Sequence, residues 1–203
     1  MKKFILVLAF ILSCIIANAQ INIGVGAYIG GNEKLTISKP DNKETIDLYK
    51  NTYTPTYGAE LFYEVNVDNL SVMFDLSYAT GKISSIEKNA QYSYAPYENK
   101  TFPDFKSYSL ASYMGHTFFP NKRFQIPVYL GLGYDRITSG PSNRYMFFWG
   151  AKARLKLYIT DTIGLYIGGN WKSGSVVAKD DYIGKIAYAS KRAEIEIGLT
   201  FML

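Results

Sequence analysis

The sequence contains very few of the residues that build metal centres, disulfides or catalytic thiols. Among 203 residues there is one cysteine, Cys14, and one histidine, His116. A single cysteine excludes an intrachain disulfide and a cysteine-based zinc cluster. Charged residues make up only 19% of the chain, and the net charge of +5 is too small to predict nucleic-acid binding. We therefore expect no metal, no cofactor and no nucleic-acid partner.

Long apolar runs are also rare, and the one at the N terminus is typical of a secretory signal peptide. Two lysines precede the apolar residues 4–16, and Ala17-Asn18-Ala19 supplies small residues before a cleavage point at Gln20. The apolar run of about 13 residues is shorter than the roughly 20 that a transmembrane helix needs. The sequence therefore predicts a signal peptide over 1–19 and one domain over 20–203.

An alternative interpretation of the leader involves its cysteine. Leu12-Ser13-Cys14 weakly matches a lipobox, in which Cys14 would carry an acyl chain. Apolar residues continue after Cys14, where a lipoprotein normally becomes polar, so cleavage before Gln20 is the favoured interpretation.

The remaining chain alternates between apolar and polar residues with a period of two, which predicts β-strands with one apolar face. In residues 21–29 the odd positions are aliphatic, whereas the even ones are mainly glycine and asparagine. In residues 147–158 the odd positions are apolar and the even ones include Lys152, Arg154 and Lys156. Similar segments are predicted at 56–65, 70–78, 106–118, 124–135, 165–172 and 192–203, with the pattern least clear in 106–118.

The connections between these eight strands alternate in length. Long polar connections are predicted at 31–52, 83–104, 139–144 and 173–184, and tight turns at 66–69, 120–123 and 161–163. This alternation predicts an all-β fold, a transmembrane eight-stranded antiparallel up-and-down meander β-barrel. A soluble lipocalin-like barrel has the same strand order. In a soluble barrel whose strand six points its charged face inward, however, the apolar face of that strand would be exposed to water. The outer surface of the barrel is therefore expected to contact lipid.

In each clear strand the charged residues lie on the face opposite the aliphatic one, so we expect them inside the barrel. Strands two and six are four of eight apart and therefore diametrically opposite, which should bring acids and bases together across the lumen. An interior of paired charges avoids isolated buried ions. The predicted lumen charge network comprises Glu60, Glu64, Asp75, Asp135, Lys152, Arg154, Lys156, Lys172, Arg192, Glu194 and Glu196.

Aromatic residues mark the ends of the predicted strands, as expected where amphipathic rings lie at a bilayer interface. One set lies toward the long connections, and another toward the short turns. Exposed aromatics in the connection 83–104 are interpreted either as contact anchors or as continuations of strands three and four that pack on each other. They are Tyr92, Tyr94, Tyr97, Phe102 and, just beyond, Phe105.

With these features the chain resembles the small Gram-negative outer-membrane β-barrels of the OmpA, OmpX and OmpW kind, over 20–203. The C-terminal residues 196–203 resemble the barrel-assembly signal, with Gly198 followed by Phe201 and Leu203 at alternate positions. Leu203 departs from the usual terminal aromatic residue. The resemblance implies a cell outer-membrane location, with long loops extracellular and both mature termini periplasmic. It implies outer-membrane lipid, lipopolysaccharide and the barrel-assembly machinery as partners, and an extracellular ligand or surface for the loops.

The resemblance leaves two functions open. The favoured one is a non-enzymatic envelope protein with a structural, adhesion or interaction role. The alternative is a narrow conduit for small hydrophobic molecules, as in OmpW-like barrels, although a charged lumen disfavours it. Some similar barrels are lipid A deacylases or palmitoyltransferases, which need a histidine near a serine and a carboxylate. His116 lacks the spacing of the deacylases and should point outward, so we expect no catalytic residues.

Overall fold

The computed structural model describes residues 19–40, 45–88, 104–120, 123–138, 143–180 and 184–203. Residues 1–18, with the predicted signal peptide and Cys14, lie outside them. In the described ranges no helix is long and apolar enough to span a bilayer. The strands are β1 (Gln20–Pro40), β2 (Thr45–Val67), β3 (Leu70–Lys88), β4 (Phe105–Phe118), β5 (Phe124–Thr138), β6 (Asn143–Tyr158), β7 (Ile163–Asp180) and β8 (Gly184–Met202).

The eight strands form a closed antiparallel barrel in which each strand pairs with its neighbours in the sequence and β1 pairs with β8. The predicted meander and strand number are therefore confirmed. Short connections join the strands at the end where Gln20 and Leu203 lie. In the β2–β3 connection Asp68 has φ of 52°, a left-handed conformation that Asp tolerates better than most residues. The backbone amide of Leu203 donates to the carbonyl of Ile21, 2.9 Å away, which joins the two chain ends.

Successive side chains along each strand alternate between the lumen and the outer surface. On β5, Tyr129 is fully buried in the barrel while its neighbour Leu130 is 67% exposed. The same alternation runs along β4, where Tyr113 points inward and Met114 outward. The predicted facing of the clear strands is thus confirmed, and strand four, whose facing the sequence left open, follows the same alternation. In the part of the barrel nearest the short turns the outer surface is apolar, as expected for strands in contact with lipid.

Exposed aromatic side chains form bands near both ends of this apolar surface. The band toward the long strand ends includes Trp149 and Trp171, whose ring centroids are 4.5 Å apart. It also contains Tyr57, Tyr108, Tyr134 and Phe147. The opposite band, beside the short turns, contains Tyr63, Phe118, Phe119, Phe124 and Phe201. The apolar surface between the bands matches the expected lipid-facing belt.

The prediction that 31–52 and 173–184 are connecting loops is wrong for most of their length. β1 continues to Pro40, β2 begins at Thr45, and β7 and β8 pair as far as Asp180 and Gly184. Part of 83–104 is also strand, because β3 continues to Lys88. These extensions lie beyond the aromatic band and carry charged residues on their outer surface. Their amino-acid composition is therefore typical of loops, although they are strands.

Register irregularities in β1 and β2 reverse which residues face inward. They lie between Ile29 and Glu33 on β1 and between Thr52 and Thr56 on β2. Below them even-numbered residues such as Tyr28 are buried, and above them odd-numbered residues such as Tyr53 and Ile37 are buried. A further shift follows between Ile37 and Ser38, and there the even-numbered Ser38 and Leu48 are buried as well. A bulge adds one residue to one strand and thereby changes the alternation. If a period of two is applied to the whole strand, the residues beyond the bulge are therefore assigned to the wrong face.

The reversed segments enclose a second, apolar core above the charged lumen. This upper core consists of Ile37, Leu48, Tyr49, Tyr53, Ala79, Phe105, Ile137, Met146 and Tyr188. Phe105, at the start of β4, is fully buried and its ring centroid lies 5.6 Å from that of Tyr53. For Phe105 the packing interpretation is correct and that of an exposed anchor is wrong. Tyr92, Tyr94, Tyr97 and Phe102 lie outside the described residues.

Candidate functional site

The charged lumen is organised around three basic residues at successive inward positions of β6. Because side chains alternate along a strand, Lys152, Arg154 and Lys156 all point to the same side. Their side chains are fully shielded from solvent, and each meets at least one carboxylate from another strand. β6 therefore provides a basic wall, and the acids that face it come from β2, β3 and β8.

Lys152 occupies the centre of this network. Its Nζ lies 2.6 Å from Glu60 Oε2 on β2, 2.7 Å from Asp75 Oδ2 on β3 and 3.2 Å from Glu196 Oε2 on β8. One ammonium group thus meets three carboxylates from three different strands. The contacts with Glu60 and Asp75 are charge-assisted hydrogen bonds, which are stronger than neutral ones and offset part of the loss of hydration of the buried ions.

Arg154 joins the two sides of the acidic wall. Its Nη2 lies 2.7 Å from Glu60 Oε1 and its Nε 2.5 Å from Glu196 Oε1. The guanidinium carbon lies 4.2 Å from the ring centroid of Phe62 and 4.5 Å from that of Tyr166. Arg154 is therefore held by carboxylates and by aromatic rings, and it fills the middle of the barrel.

Lys156 forms a separate pair nearer the short turns. Its Nζ donates to Glu64 Oε2 on β2, and both side chains are completely buried. Below this pair the hydroxyl of Tyr158 donates to Asn22 Oδ1 at 3.0 Å. Beside Tyr158 a cavity of about 270 Å³ opens at the turn end of the barrel, lined also by Arg123, Gln125 and Asp161. The lumen is thus less filled toward this end.

The remaining predicted network residues form a second group nearer the upper core. Arg192 lies 3.6 Å from Asp135 Oδ2 and 3.4 Å from Glu194 Oε1, and Asp135 also accepts from the hydroxyl of Ser109. Lys172 donates to the hydroxyl of Ser77, 3.2 Å away. The structure places all eleven predicted residues in the lumen, in a lower group around Lys152 to Lys156 and an upper group around Arg192.

Sequence reasoning placed tyrosines inside the barrel without recognising their part in the network. The hydroxyl of Tyr166 donates to Glu60 Oε1 at 2.5 Å, and that of Tyr28 donates to Glu60 Oε2 at 3.2 Å. Glu60 is thereby surrounded by two cations and two hydroxyls. The signal available in the sequence was that these tyrosines share the face of the charged residues. Which of these tyrosines contacts Glu60 depends on the position of each residue along the axis of the closed barrel.

The single histidine of the chain lies outside the lumen. His116 is exposed on the outer surface, with its ring centroid 4.7 Å from that of Phe118. Gly115 occupies the inward position instead, as expected. Among the described residues there is also no group of three or more side chains suited to holding a metal ion.

The C-terminal strand closes the barrel. Gly198 faces inward, and a side chain there would fall on the backbone of Val25 and Gly26. Phe201 is exposed on the outer surface and pairs in register with Ile23 of β1 and Ile163 of β7. Leu203 follows the last residue of β8 and is exposed. The alternation of the predicted assembly signal therefore places Phe201 on the lipid side.

In the described ranges, five strands continue beyond the other three at the end opposite the short turns. We call this part the upper sheet and define it by residues 176–180, 184–190, 34–40, 45–53 and 82–88. β3 pairs with β4 only as far as Gly81, and β7 pairs with β6 only as far as Ser175. Within the described ranges, the upper sheet is therefore open along 82–88 and 176–180. Such edges present backbone groups that another strand can pair with.

Solved outer-membrane proteins share this architecture. Neisserial surface protein A is 15% identical, with a TM-score of 0.51 over 89% of this chain and 96% of its own. OprG from Pseudomonas aeruginosa is 10% identical, with a TM-score of 0.55 over 92% and 96%. A major outer membrane protein from Thermus thermophilus is 11% identical, with a TM-score of 0.54 over 91% and 99%. The chain therefore has the fold of the small outer-membrane β-barrels. No protein-family model and no curated protein sequence matches it.

Proposed function

We propose that the protein is a closed, non-enzymatic barrel of the bacterial outer membrane that presents its upper sheet for contact outside the cell. The observation that carries this proposal is the upper sheet itself, with its edges at 82–88 and 176–180 open in the described structure. An extended peptide segment of another protein can add to such an edge through backbone hydrogen bonds. The function is then adhesion or interaction at the cell surface.

The orientation follows from the two ends of the barrel. Outer-membrane barrels have short periplasmic turns and longer extracellular segments. The end with the tight turns, Gln20 and Leu203 would face the periplasm, and the upper sheet would face outward. In this orientation Gly198, Phe201 and Leu203 remain on the periplasmic side, where the barrel-assembly machinery would recognise them.

The contents of the lumen support a closed barrel over a conduit. An eight-stranded barrel has an interior just wide enough for its own side chains. Here the middle is filled by Arg154 with Phe62 and Tyr166, and the upper core lies above it. A hydrophobic solute would have to displace both the paired charges and the buried aromatic rings.

The proposal is tested by shortening the upper sheet without touching the lipid-facing barrel. In one variant, residues 177–187, which include the open edge of β7, are replaced by a two-residue Asn-Gly turn that joins the partners Val176 and Tyr188. A control variant replaces the exposed turn residues Asp161 and Thr162 with serine. Both should fractionate with the outer membrane and show heat-modifiable gel migration. Cells expressing the shortened variant should lose contact-dependent adhesion or aggregation, whereas the control should retain it.

Liposome swelling with the purified wild-type barrel provides the opposing measurement. We expect no solute flux above that of protein-free liposomes. Reproducible flux, or unchanged adhesion after shortening, would contradict the proposed function and favour the conduit.

A further inference from the structure

The cavity at the turn end of the barrel is large enough for a small ligand. Its volume of about 270 Å³ is that of about nine water molecules in the liquid. The ion pair of Lys156 and Glu64 lies on its inner side, because Lys156 is the register partner of a residue that lines the cavity, Gln125. We call this cavity the turn-end chamber and define it by its lining residues Gln20, Pro120, Arg123, Gln125, Tyr158, Thr160, Asp161 and Met202.

One wall of the turn-end chamber carries a buried acceptor that has no donor among the described residues. Gln125 is only 1% exposed, and its Nε2 donates to the carbonyl oxygen of Pro120 at 2.5 Å. Its Oε1 accepts no hydrogen bond. Since nearly all buried polar groups in proteins are paired, an unpaired one is costly and marks a position where a ligand can bind. Gln125 therefore offers its carbonyl oxygen to a molecule in the chamber.

Further buried polar groups next to the chamber are also unpaired within the described chain. Asn22 is fully buried as the register partner of Met202, and its Nδ2 has no acceptor. Asn66 is the register partner of Gln20, and both atoms of its amide are unpaired. The hydroxyl of Thr200 is buried and unpaired as well. With Gln125 these groups comprise two amide donors, two carbonyl acceptors and one hydroxyl, all of them uncharged.

This mixture of neutral donors and acceptors selects the chemistry of the ligand. A carboxylate only accepts hydrogen bonds and an ammonium group only donates them, so either would leave half of these groups unpaired. A hydroxyl donates one hydrogen bond and accepts two, and therefore matches both kinds. The lining also provides apolar surface for the C–H groups of a ligand, from Pro120, Met202 and the ring of Tyr158.

The rim of the chamber adds one donor and one acceptor from two different turns. Arg123 lies in the β4–β5 turn and Asp161 in the β6–β7 turn, and both side chains are exposed. The first turn is held against the chamber wall, because the backbone amide of Tyr158 donates to the carbonyl of Arg123 at 2.7 Å. A ligand that carries several hydroxyls can bond to both rim residues and to the interior at once.

We propose that the turn-end chamber binds a neutral saccharide of one or two sugar rings. In the orientation proposed above, the chamber opens toward the periplasm, at the end opposite the upper sheet. A free periplasmic sugar and the end of a cell-wall glycan present the same hydroxyl chemistry to it. The site is thus separate from the proposed contact function, and only the compartment of its ligand rests on that proposal.

The test is a titration of the purified, folded protein in a detergent without a sugar headgroup. Maltose represents a free sugar, and the disaccharide of N-acetylglucosamine represents a wall glycan. N-acetylalanine amide is the comparison ligand, because it is small and neutral and has no hydroxyl. Nuclear magnetic resonance of isotope-labelled protein should show saturable shifts at Gln125, Tyr158 and Asp161 with at least one disaccharide, and much weaker binding of the amide.

Two variants test the assigned contacts. Gln125→Met nearly preserves the shape of the side chain and removes the buried acceptor. Asp161→Ala removes the rim acceptor at an exposed position and leaves the barrel interior unchanged. Each should weaken saccharide binding by about 5- to 10-fold, as expected for the loss of one hydrogen bond. The matched control is Thr162→Ala in the same exposed turn, which should bind like the wild type because Thr162 does not line the chamber.

Heat-modifiable migration shows that each variant is folded before its binding is measured. Tighter binding of either disaccharide supports the site and identifies the source of its ligand. A lack of saturable shifts in the wild type, equal binding of the amide, or equal weakening in Thr162→Ala would overturn the proposal. Loss of adhesion is measured on the upper sheet and not on purified protein, so failure of the contact function leaves this result unaffected.

Discussion

Lys156 and Glu64 form an ion pair although their strands, β6 and β2, lie on opposite sides of the barrel. Their side chains meet across the lumen and are completely buried. Removing one partner of a buried ion pair leaves an uncompensated charge, which costs about 3–5 kcal/mol. The pair therefore links the two halves of the barrel wall through its interior.

A charge-reversal cycle tests this link. Glu64→Lys should lower the free energy of unfolding by several kcal/mol, since it places two cations together in a buried site. Combining it with Lys156→Glu should recover part of the loss, because the pair is then restored in reverse. Urea titrations followed by heat-modifiable migration would measure all four proteins. Strictly additive losses would mean that the two residues do not interact.

The lipid-facing surface makes a second prediction. Leu155→Arg on β6 places a charge on the apolar belt and should destabilise the inserted barrel by about 2–4 kcal/mol. Val177→Arg is the matched control, because Val177 is similarly exposed but lies on the upper sheet, beyond the aromatic band. Its effect should be close to zero. Equal losses in bilayer refolding titrations would show that the belt is misplaced.

Glycine provides a third prediction. A Cβ at Gly115 would fall on the backbone carbonyl oxygen of Val128 and lie 2.8 Å from the ring of Tyr129. Gly115→Ala should therefore cost about 1–3 kcal/mol through overpacking. At Gly169 a Cβ would meet nothing within 4 Å. Gly169→Ala should be neutral or slightly stabilising, since alanine restricts the unfolded chain. Similar losses at both positions would argue against the packing described for β4 and β5.

Orientation is testable with single cysteines, because Cys14 lies in the predicted leader. Ser85→Cys is on the upper sheet, and Thr162→Cys is in the turn between β6 and β7, both at exposed positions. A membrane-impermeant maleimide added to intact cells should label the first and spare the second. After lysis both should react. Labelling of Thr162→Cys in intact cells would mean that the barrel is inserted the other way or not inserted.

The sequence was sufficient to predict the barrel and the charged residues that line its lumen. Alternation assigned Glu60 and Arg154 to the interior, and counting strands placed β2 opposite β6. Neither method could predict that Tyr166 contacts Glu60, because their relative height depends on how far the register shifts around the closed barrel. The inward placement of Tyr53 was also out of reach, since a bulge leaves no composition signal of its own. Contacts that depend on register or bulges required the structure.

The reversal of facing at the bulges has a kinetic consequence for the upper sheet. In the proposed orientation this segment would pass from the periplasm through the hydrocarbon layer with Lys34 and Lys50, which the reversal places on its outer surface. Each such charge costs about 2–4 kcal/mol at the bilayer midplane. Unassisted refolding into pure lipid should consequently be limited by translocation of these hairpins, and a protein or lipid defect that hydrates their path would accelerate it. The charged outer surface that suits the upper sheet to water in the folded protein is thus expected to slow the insertion of the barrel.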